Sequence, residues 1–138
     1  MHHGPNGKHY VMVFEILGVN LLEIIKRYDY RGIPLHLVRE LGKQCLIGLD
    51  YMNRICKLIH TDLKPENVLV DIDGYPKLID FGTAKFVNGR TYTIIGTPHY
   101  MAPEVILGKG YGLSADFWST GIMLYELLCG GVPFGEEE

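Results

Sequence analysis

An α+β fold is what this sequence predicts, and three observations predict it. A short β-branched and aromatic run occupies residues 10–16, and apolar residues step by three or four through 38–55 and crowd together again at 117–129. Between these stretches the apolar residues break into scraps of two or three, the pattern of short strands among polar loops. With 138 residues, 47% hydrophobic and 21% charged, the chain can build the core of one domain, which points away from disorder and from a multi-domain assembly. A net charge of −3 gives no footprint for nonspecific nucleic-acid binding. Glu15, Glu23 and Glu126 interrupt the best apolar stretches before they reach the roughly eighteen residues of a membrane span. Cys45, Cys56 and Cys129 are too few and too scattered for a disulfide framework or a zinc knuckle, and the first seven residues lack an apolar signal core. The expected setting is reducing and cytoplasmic, with the nucleus as a second address, and neither nucleic acid nor membrane is an expected partner.

The elements follow in order. Gly4-Pro5-Asn6-Gly7 is a turn cluster that runs into Tyr10-Val11-Met12-Val13-Phe14-Glu15-Ile16, read as a strand. After Gly18, Asn20 can cap a short helix over 21–25; Gly32 ends that region and Pro34 opens a second helix. The buried stripe of the second helix is Val38, Leu41, Cys45, Leu49, Met52 and Ile55. Leu58-Ile59, Val68-Leu69-Val70 and Leu78-Ile79 read as short strands, with the turn Asp71-Ile72-Asp73-Gly74 among the loops between them. Residues 80–113 are rich in Gly, Thr and Pro and hold no period, so they form a long functional loop with a helical turn near 103–107. Ser114 caps a last helix whose Phe117, Trp118, Ile122, Tyr125, Leu128 and Cys129 cover most of its circumference, as in a core helix. An acidic tail, Gly135-Glu136-Glu137-Glu138, follows.

Three signals stand in one order: His60-Thr61-Asp62-Leu63-Lys64-Pro65-Glu66-Asn67, Asp80-Phe81-Gly82, and Ala102-Pro103-Glu104. The two aspartates are 18 positions apart, and 24 more lead to the closing glutamate. About nine specified positions at roughly one in twenty each make chance negligible. The ordered set resembles the catalytic domain of the eukaryotic Ser/Thr protein kinases. That resemblance implies a kinase-like fold, here a hinge strand plus the mainly helical C-terminal lobe. Its parts are a hinge at 10–18, helices over 19–57, a catalytic loop with short strands over 58–79, an activation segment over 80–104 and a buried helix at 114–130.

The same resemblance assigns roles, and phosphoryl transfer explains them, because positioning and charge neutralisation dominate that chemistry. Asp62 would accept or orient the proton of a substrate hydroxyl, and Lys64 would offset charge on the transferring group. Asn67 and Asp80 carry hard oxygens suited to magnesium, so ATP and Mg2+ are the implied cofactors. Phe14 matches the gatekeeper, the backbone near Glu15 and Leu17 would face adenine, and Leu69 and Ile79 would flank the nucleotide. Thr97 matches the residue that links the substrate-side loop to the catalytic aspartate, while Glu104 and Asp116 match positions that brace the lower lobe. Glu66 and Glu126 match acidic positions that read basic residues upstream of the acceptor; as plain residues they read equally well as solvated carboxylates. A protein substrate with basic residues near its Ser or Thr is therefore implied; no oligomeric state is.

Two regions resemble different kinases. Residues 4–70 look most like the SR-protein kinases, with Gly4-Pro5-Asn6-Gly7-Lys8-His9 and Thr61 in a place where most kinases carry arginine. Residues 74–136 are most similar to the cGMP-dependent kinases of protists, through Lys77-Leu78-Ile79-Asp80-Phe81-Gly82-Thr83-Ala84-Lys85 and the run from Gly89 to Glu104. In that second group Thr93 would take the activating phosphate. Thr61 cannot pair with it, Lys85 is the basic residue left, and a weakened phosphate switch is expected. The long insert that SR-protein kinases carry after the catalytic loop is absent.

No G-x-G-x-x-G loop precedes residue 10, and no strand lysine with a helix glutamate partner is present. Gly108-Lys109-Gly110-Tyr111-Gly112 has the wrong spacing and position for a phosphate loop. The helices that normally follow the last helix are also expected to be missing, which would uncover apolar surface on 117–129. Taken as it stands, the chain is expected to be a partial kinase domain with weak activity or none. The alternatives are a noncatalytic kinase-like binding module, or an incomplete or chimeric gene product with its seam near 70–74.

Overall fold

The computed structural model describes residues 1–135, so the last three glutamates of the acidic tail lie outside the described residues. Gly4-Pro5-Asn6-Gly7 makes the turn it promises: β1 (His2–Gly4) and β2 (Gly7–His9) pair antiparallel across it, His2 opposite His9. The run at 10–16 is not a strand. A strand exists only through its ladder, and no described residue pairs with this segment, so Val13 stands 91% exposed. Order resumes at Gly18, whose N–H donates to Val70 O at 2.8 Å, and Val70 N–H returns to Val19 O at 3.0 Å.

Helix α1 (Leu21–Arg27) is capped as expected: Asn20 Oδ1 accepts from Glu23 N–H at 2.9 Å. It stops well before Gly32, because Asp29 and Tyr30 turn into the left-handed region. Helix α2 (Leu35–Asp50) follows Pro34 and buries Val38, Gly42, Cys45 and Leu49. A five-residue π-helix, Tyr51–Ile55, continues it, with Cys56 N–H reaching Tyr51 O at 3.2 Å. The wider turn shifts the phase of the stripe. Met52 and Asn53 go inward, while Ile55, expected in the core, is 52% exposed.

Two two-stranded ladders then build the working face. β3 (Leu58–Ile59) pairs with β6 (Lys85–Phe86), and β4 (Val68–Val70) pairs with β5 (Pro76–Leu78), both antiparallel. Asp71 Oδ1 closes the β4–β5 turn by accepting from Asp73 N–H and Tyr75 N–H. The long loop carries 3₁₀ turns at Pro98–Tyr100 and the short helix α3 (Pro103–Ile106) where a helical turn was expected.

Helix α4 (Ala115–Cys129) follows Ser114, whose side chain makes no capping bond, contrary to the sequence reading. It ends at Gly130, φ +87°, where a Cβ would lie 1.7 Å from Tyr30 O, so only glycine fits. Ile122, Met123 and Leu127 are buried, but Phe117, Tyr125 and Leu128 are not. The neighbouring elements cover one side of α4 alone, so it is not enclosed all round.

Leu21, Ile25, Val38, Cys45, Val68, Met123 and Leu127 form the main core among α1, α2, β4 and α4. A second cluster, Ile59, Val87, Ala102, Val105, Tyr111 and Ala115, seats the long loop, and Leu49, Met52 and Leu63 seat the loop before β4. Among the described residues no helix is long and apolar enough to cross a membrane.

Candidate active site

The loop between β3 and β4 gathers four of the expected residues into one closed network. Thr97 Oγ1 donates to Asp62 Oδ1 at 2.7 Å and accepts from Lys64 Nζ at 2.8 Å. Lys64 Nζ also lies 3.1 Å from Asp62 Oδ2, and Asn67 Nδ2 donates to Asp62 O at 2.8 Å and to Asp62 Oδ2 at 3.2 Å. Burial pushes the Asp62 carboxyl up, but donation from Thr97, Lys64 and Asn67 together outweighs it and holds the group below its ordinary range. Thr97 reaches this loop from a distant segment because Gly96, φ +133°, lets the chain pass where a Cβ would come within 2.8 Å of Thr61 O.

The backbone under Asp62 is held from below. Asp116, buried at the start of α4, accepts from His60 N–H at 2.8 Å and Thr61 N–H at 3.0 Å. His60 is fully buried; its Nε2 meets Ile79 O at 2.8 Å, which assigns the ring proton to Nε2, and Nδ1 accepts from Asp62 N–H at 3.3 Å. Burial raises the Asp116 carboxyl, against the opposing bonds from the His60 and Thr61 N–H groups and from Asn53. Asn53, on the π-helix, donates through Nδ2 to Asp116 Oδ2 at 3.2 Å and to Leu58 O at 2.8 Å. Sequence reasoning missed Asn53. Its only signal was its place four residues after Leu49, on the edge of the apolar stripe, where its polarity led it to be passed over.

Asp80 emerges from the end of β5. Ile79 N–H donates to Asn67 O at 3.0 Å, so the two residues expected to hold metal sit on adjacent strand ends. Asp80 has φ +62° and is exposed, with Oδ1 accepting from Gly82 N–H at 3.3 Å. Asn67 spends its NH₂ on Asp62, and its Oδ1 takes part in no hydrogen bond among the described residues. Two carboxylate oxygens and an amide oxygen on neighbouring strand ends fit a hard divalent cation. Phe81 rests with its ring 5.0 Å from that of His60.

The remaining expected residues are placed less uniformly. Leu17, Leu69 and Ile79 are half-buried where residues 17–20 dock on β4. Phe14 is 75% exposed, and the Glu15 side chain pairs with Lys77 Nζ at 3.4 Å. Glu126 is buried rather than solvated: Tyr100 OH donates to its Oε2 at 2.5 Å. Burial raises the Glu126 carboxyl, the Tyr100 bond opposes this, and the nearby Glu66 adds to the rise. Glu66 Oε2 is buried with no hydrogen-bond partner. The surface-carboxylate reading therefore fails for Glu126, while Glu66 is half-buried.

Thr93 is exposed, and its carbonyl accepts from Tyr111 OH at 2.6 Å. Thr61, φ +75°, lies within hydrogen-bond reach of Thr83 through its Oγ1, at 2.8 Å from Thr83 Oγ1 and 3.1 Å from Thr83 O. Glu104 is half-buried and forms no ion pair among the described residues.

Comparison with known proteins meets this geometry from the other side. The chain is 55% identical over 93 residues to the cGMP-dependent protein kinase of Plasmodium berghei, covering 67% of this chain and 11% of that protein. It is 36% identical over 190 aligned positions to the serine/threonine-protein kinase SRPK of Physarum polycephalum, covering 97% of this chain and 45% of that protein. An alignment of 190 positions for 138 residues requires inserted segments in that relative. It is also 48% identical over 134 residues to the dual specificity tyrosine-phosphorylation-regulated kinase mbk-2 of Caenorhabditis elegans, covering 94% of this chain and 16% of that protein. The chain thus spans under half the length of each of these relatives. Both resemblances drawn from the motifs have their counterparts here, and the third adds a kinase group that the motifs did not single out. With the protein kinase domain model matching residues 4–138, the chain belongs to the protein kinase domain family, and the Asp62 network lies inside the matched region.

Proposed function

We propose that the chain serves ATP-dependent phosphorylation of Ser or Thr in proteins that carry basic residues near the acceptor. The carrying observation is the closed network of Thr97, Lys64 and Asn67 around Asp62. It keeps Asp62 ionised and aimed, as a group that accepts or orients a hydroxyl proton must be. Lys64, shared between Asp62 and Thr97, would offset charge on the transferring phosphoryl group. Asn67 and Asp80 would hold magnesium through their oxygens, and Leu17, Leu69 and Ile79 would line the adenine side. When bound, Mg-ATP supplies the transferable phosphoryl group and the charge neutralisation.

Basic-residue preference rests on Glu66 and Glu126. Two carboxylates, one buried and the other with an unpartnered buried oxygen, form no ion pair among the described residues; a substrate guanidinium would satisfy both. Regulation by a Thr93 phosphate is proposed to be weak, because Thr61 is committed to Thr83 and offers no positive charge. The described residues include neither a phosphate-covering glycine loop nor a lysine–glutamate clamp, so the 138 residues alone are proposed to turn over slowly or not at all. Free thiols at Cys45, Cys56 and Cys129 fit a reducing cytoplasmic or nuclear setting.

A second reading, a noncatalytic module that docks a protein partner, draws on the apolar side chains that α4 leaves exposed, Phe117, Tyr125 and Leu128. Calorimetry with Mg-ATP decides between them, beside phosphate transfer to a basic Ser/Thr peptide. Binding and transfer that Asp80→Ala and Asp62→Asn abolish support the kinase reading. A cooperatively melting chain that binds no Mg-ATP and transfers nothing supports the module.

A further inference from the structure

We infer that Asn53 is a positioning residue for Asp62, acting through Asp116. This assignment rests on the kinase reading only for its consequence in turnover; its structural content stands by itself.

Begin with the amide. Asn53 is buried, and both Nδ2 hydrogens are used, one on Leu58 O and one on Asp116 Oδ2. Its Oδ1 is buried without a partner. Turning the amide over would set Oδ1 against a carbonyl and a carboxylate, so the acceptors dictate the orientation. A buried acceptor left unpaired is costly, and an apolar side chain would avoid that cost. What Asn53 supplies instead is two donors aimed at opposite ends of one short segment.

That segment is 58–61. Leu58 O marks its entry, where β3 begins, and Asp116 grips its exit through the N–H groups of His60 and Thr61. Thr61 sits at φ +75°, a conformation a β-branched residue holds only when its surroundings over-determine it. Asp62 is the next residue, and its own N–H is bonded back to His60 Nδ1. Asp116 Oδ2 is shared by Asn53 and His60, so removing the Asn53 donor frees the carboxylate to rotate. The grip on the strained peptide then loosens one residue before the proposed base.

The backbone explains why the π-helix matters. Counted at about 100° per residue, position 53 falls about 40° from buried Leu49 and position 55 about 120° away, so α-helical phase already favours Asn53 over Ile55 for the buried side. The wider π turn brings Asn53 closer to the line of Leu49 and carries Ile55 further out, to 52% exposed.

The test compares the 138-residue chain with Asn53→Ala and Asn53→Asp by 1H–15N NMR, with phosphate transfer from Mg-ATP to a basic Ser peptide as a second readout. In folded variants the amide signals of His60 and Thr61 should move and lose protection from exchange. Where the wild type turns over, kcat should fall about tenfold to a hundredfold with KM for both substrates within twofold. His60 and Thr61 signals that stay in place in a folded variant overturn the inference, whatever the activity does. Should neither variant fold, the wild type still decides: Asn53 side-chain NH₂ protons that exchange as fast as an exposed amide overturn it, and protected ones support it. Absence of transfer in every chain would count against the kinase reading and leave the NMR result to judge Asn53.

Discussion

The hydroxyl of Thr97 donates to Asp62 Oδ1 at 2.7 Å while Lys64 Nζ donates to that same hydroxyl at 2.8 Å. Thirty-five residues separate Thr97 from Asp62, so this side chain stitches a distant part of the long loop to the loop between β3 and β4. Thr97→Ala should let the Asp62 carboxyl titrate higher, because burial then acts with one fewer opposing donor. Turnover should fall about tenfold to a hundredfold, as expected when a reacting group drifts by an ångström. A 13C titration of Asp62 and peptide phosphorylation check the two halves; an unmoved Asp62 titration would show that Lys64 and Asn67 suffice.

The pH dependence of stability should carry two opposite signs. Asp62 is held below its ordinary pKa of about 3.9, so its contribution is complete above that value and is lost as pH falls through the lowered one. Glu126 is raised, so between the ordinary glutamate pKa of about 4.3 and its folded value the native state binds more protons than the unfolded chain. Its effect is therefore a loss of stability as pH rises through that window. Melting temperatures of wild type and Glu126→Gln should diverge on going up from pH 4, the variant being spared the loss. Parallel curves would mean that Tyr100 OH compensates for the burial of Glu126 entirely.

The site was legible in the sequence for a reason the fold was not. Asp62, Lys64, Asn67 and Asp80 are specified by chemistry at short fixed spacing, and the loop that carries them is local to β3, β4 and β5. Residues 10–16 have the composition of a strand, yet a strand depends on a partner that periodicity does not reveal. Ile55 was misread because steps of three from Leu49 drift off the buried side and the π turn carries it further, while Asn53, four residues after Leu49, was passed over as polar. Glu126 read as either surface or site because a lone carboxylate on a helix gives no sign of burial; Tyr100, 26 positions away, makes the difference.

Gly130 offers a purely structural check. Its φ is +87°, and a Cβ would lie 1.7 Å from Tyr30 O, where the chain after α1 crosses the end of α4. Gly130→Ala should cost at least the ~1–3 kcal/mol of a strained left-handed residue, with the clash added. Urea unfolding measures this. A loss below about 0.5 kcal/mol would mean that the 28–33 segment moves away freely, and that its bond from Ile33 N–H to Leu127 O, 2.7 Å, contributes little.

The two ways of anchoring the long loop make opposite demands on Thr93 and Thr83. Thr93 is exposed, and Thr61 brings no charge to it, so a phosphate there would sit at a solvated surface. Exposed charge pairs are worth up to ~1 kcal/mol, so Thr93→Ala should change kcat by no more than about fivefold. Thr83→Val deletes the hydroxyl that lies 2.8 Å from Thr61 Oγ1, directly beside the strained peptide that precedes Asp62. That loss is part-buried and leaves Thr61 Oγ1 with only its 3.1 Å bond to Thr83 O, and it should reduce turnover more than Thr93→Ala does. Steady-state phosphorylation of one basic peptide by both variants ranks them; the reverse ranking would show that a phosphate on Thr93, rather than the Thr61–Thr83 contact, orders the loop.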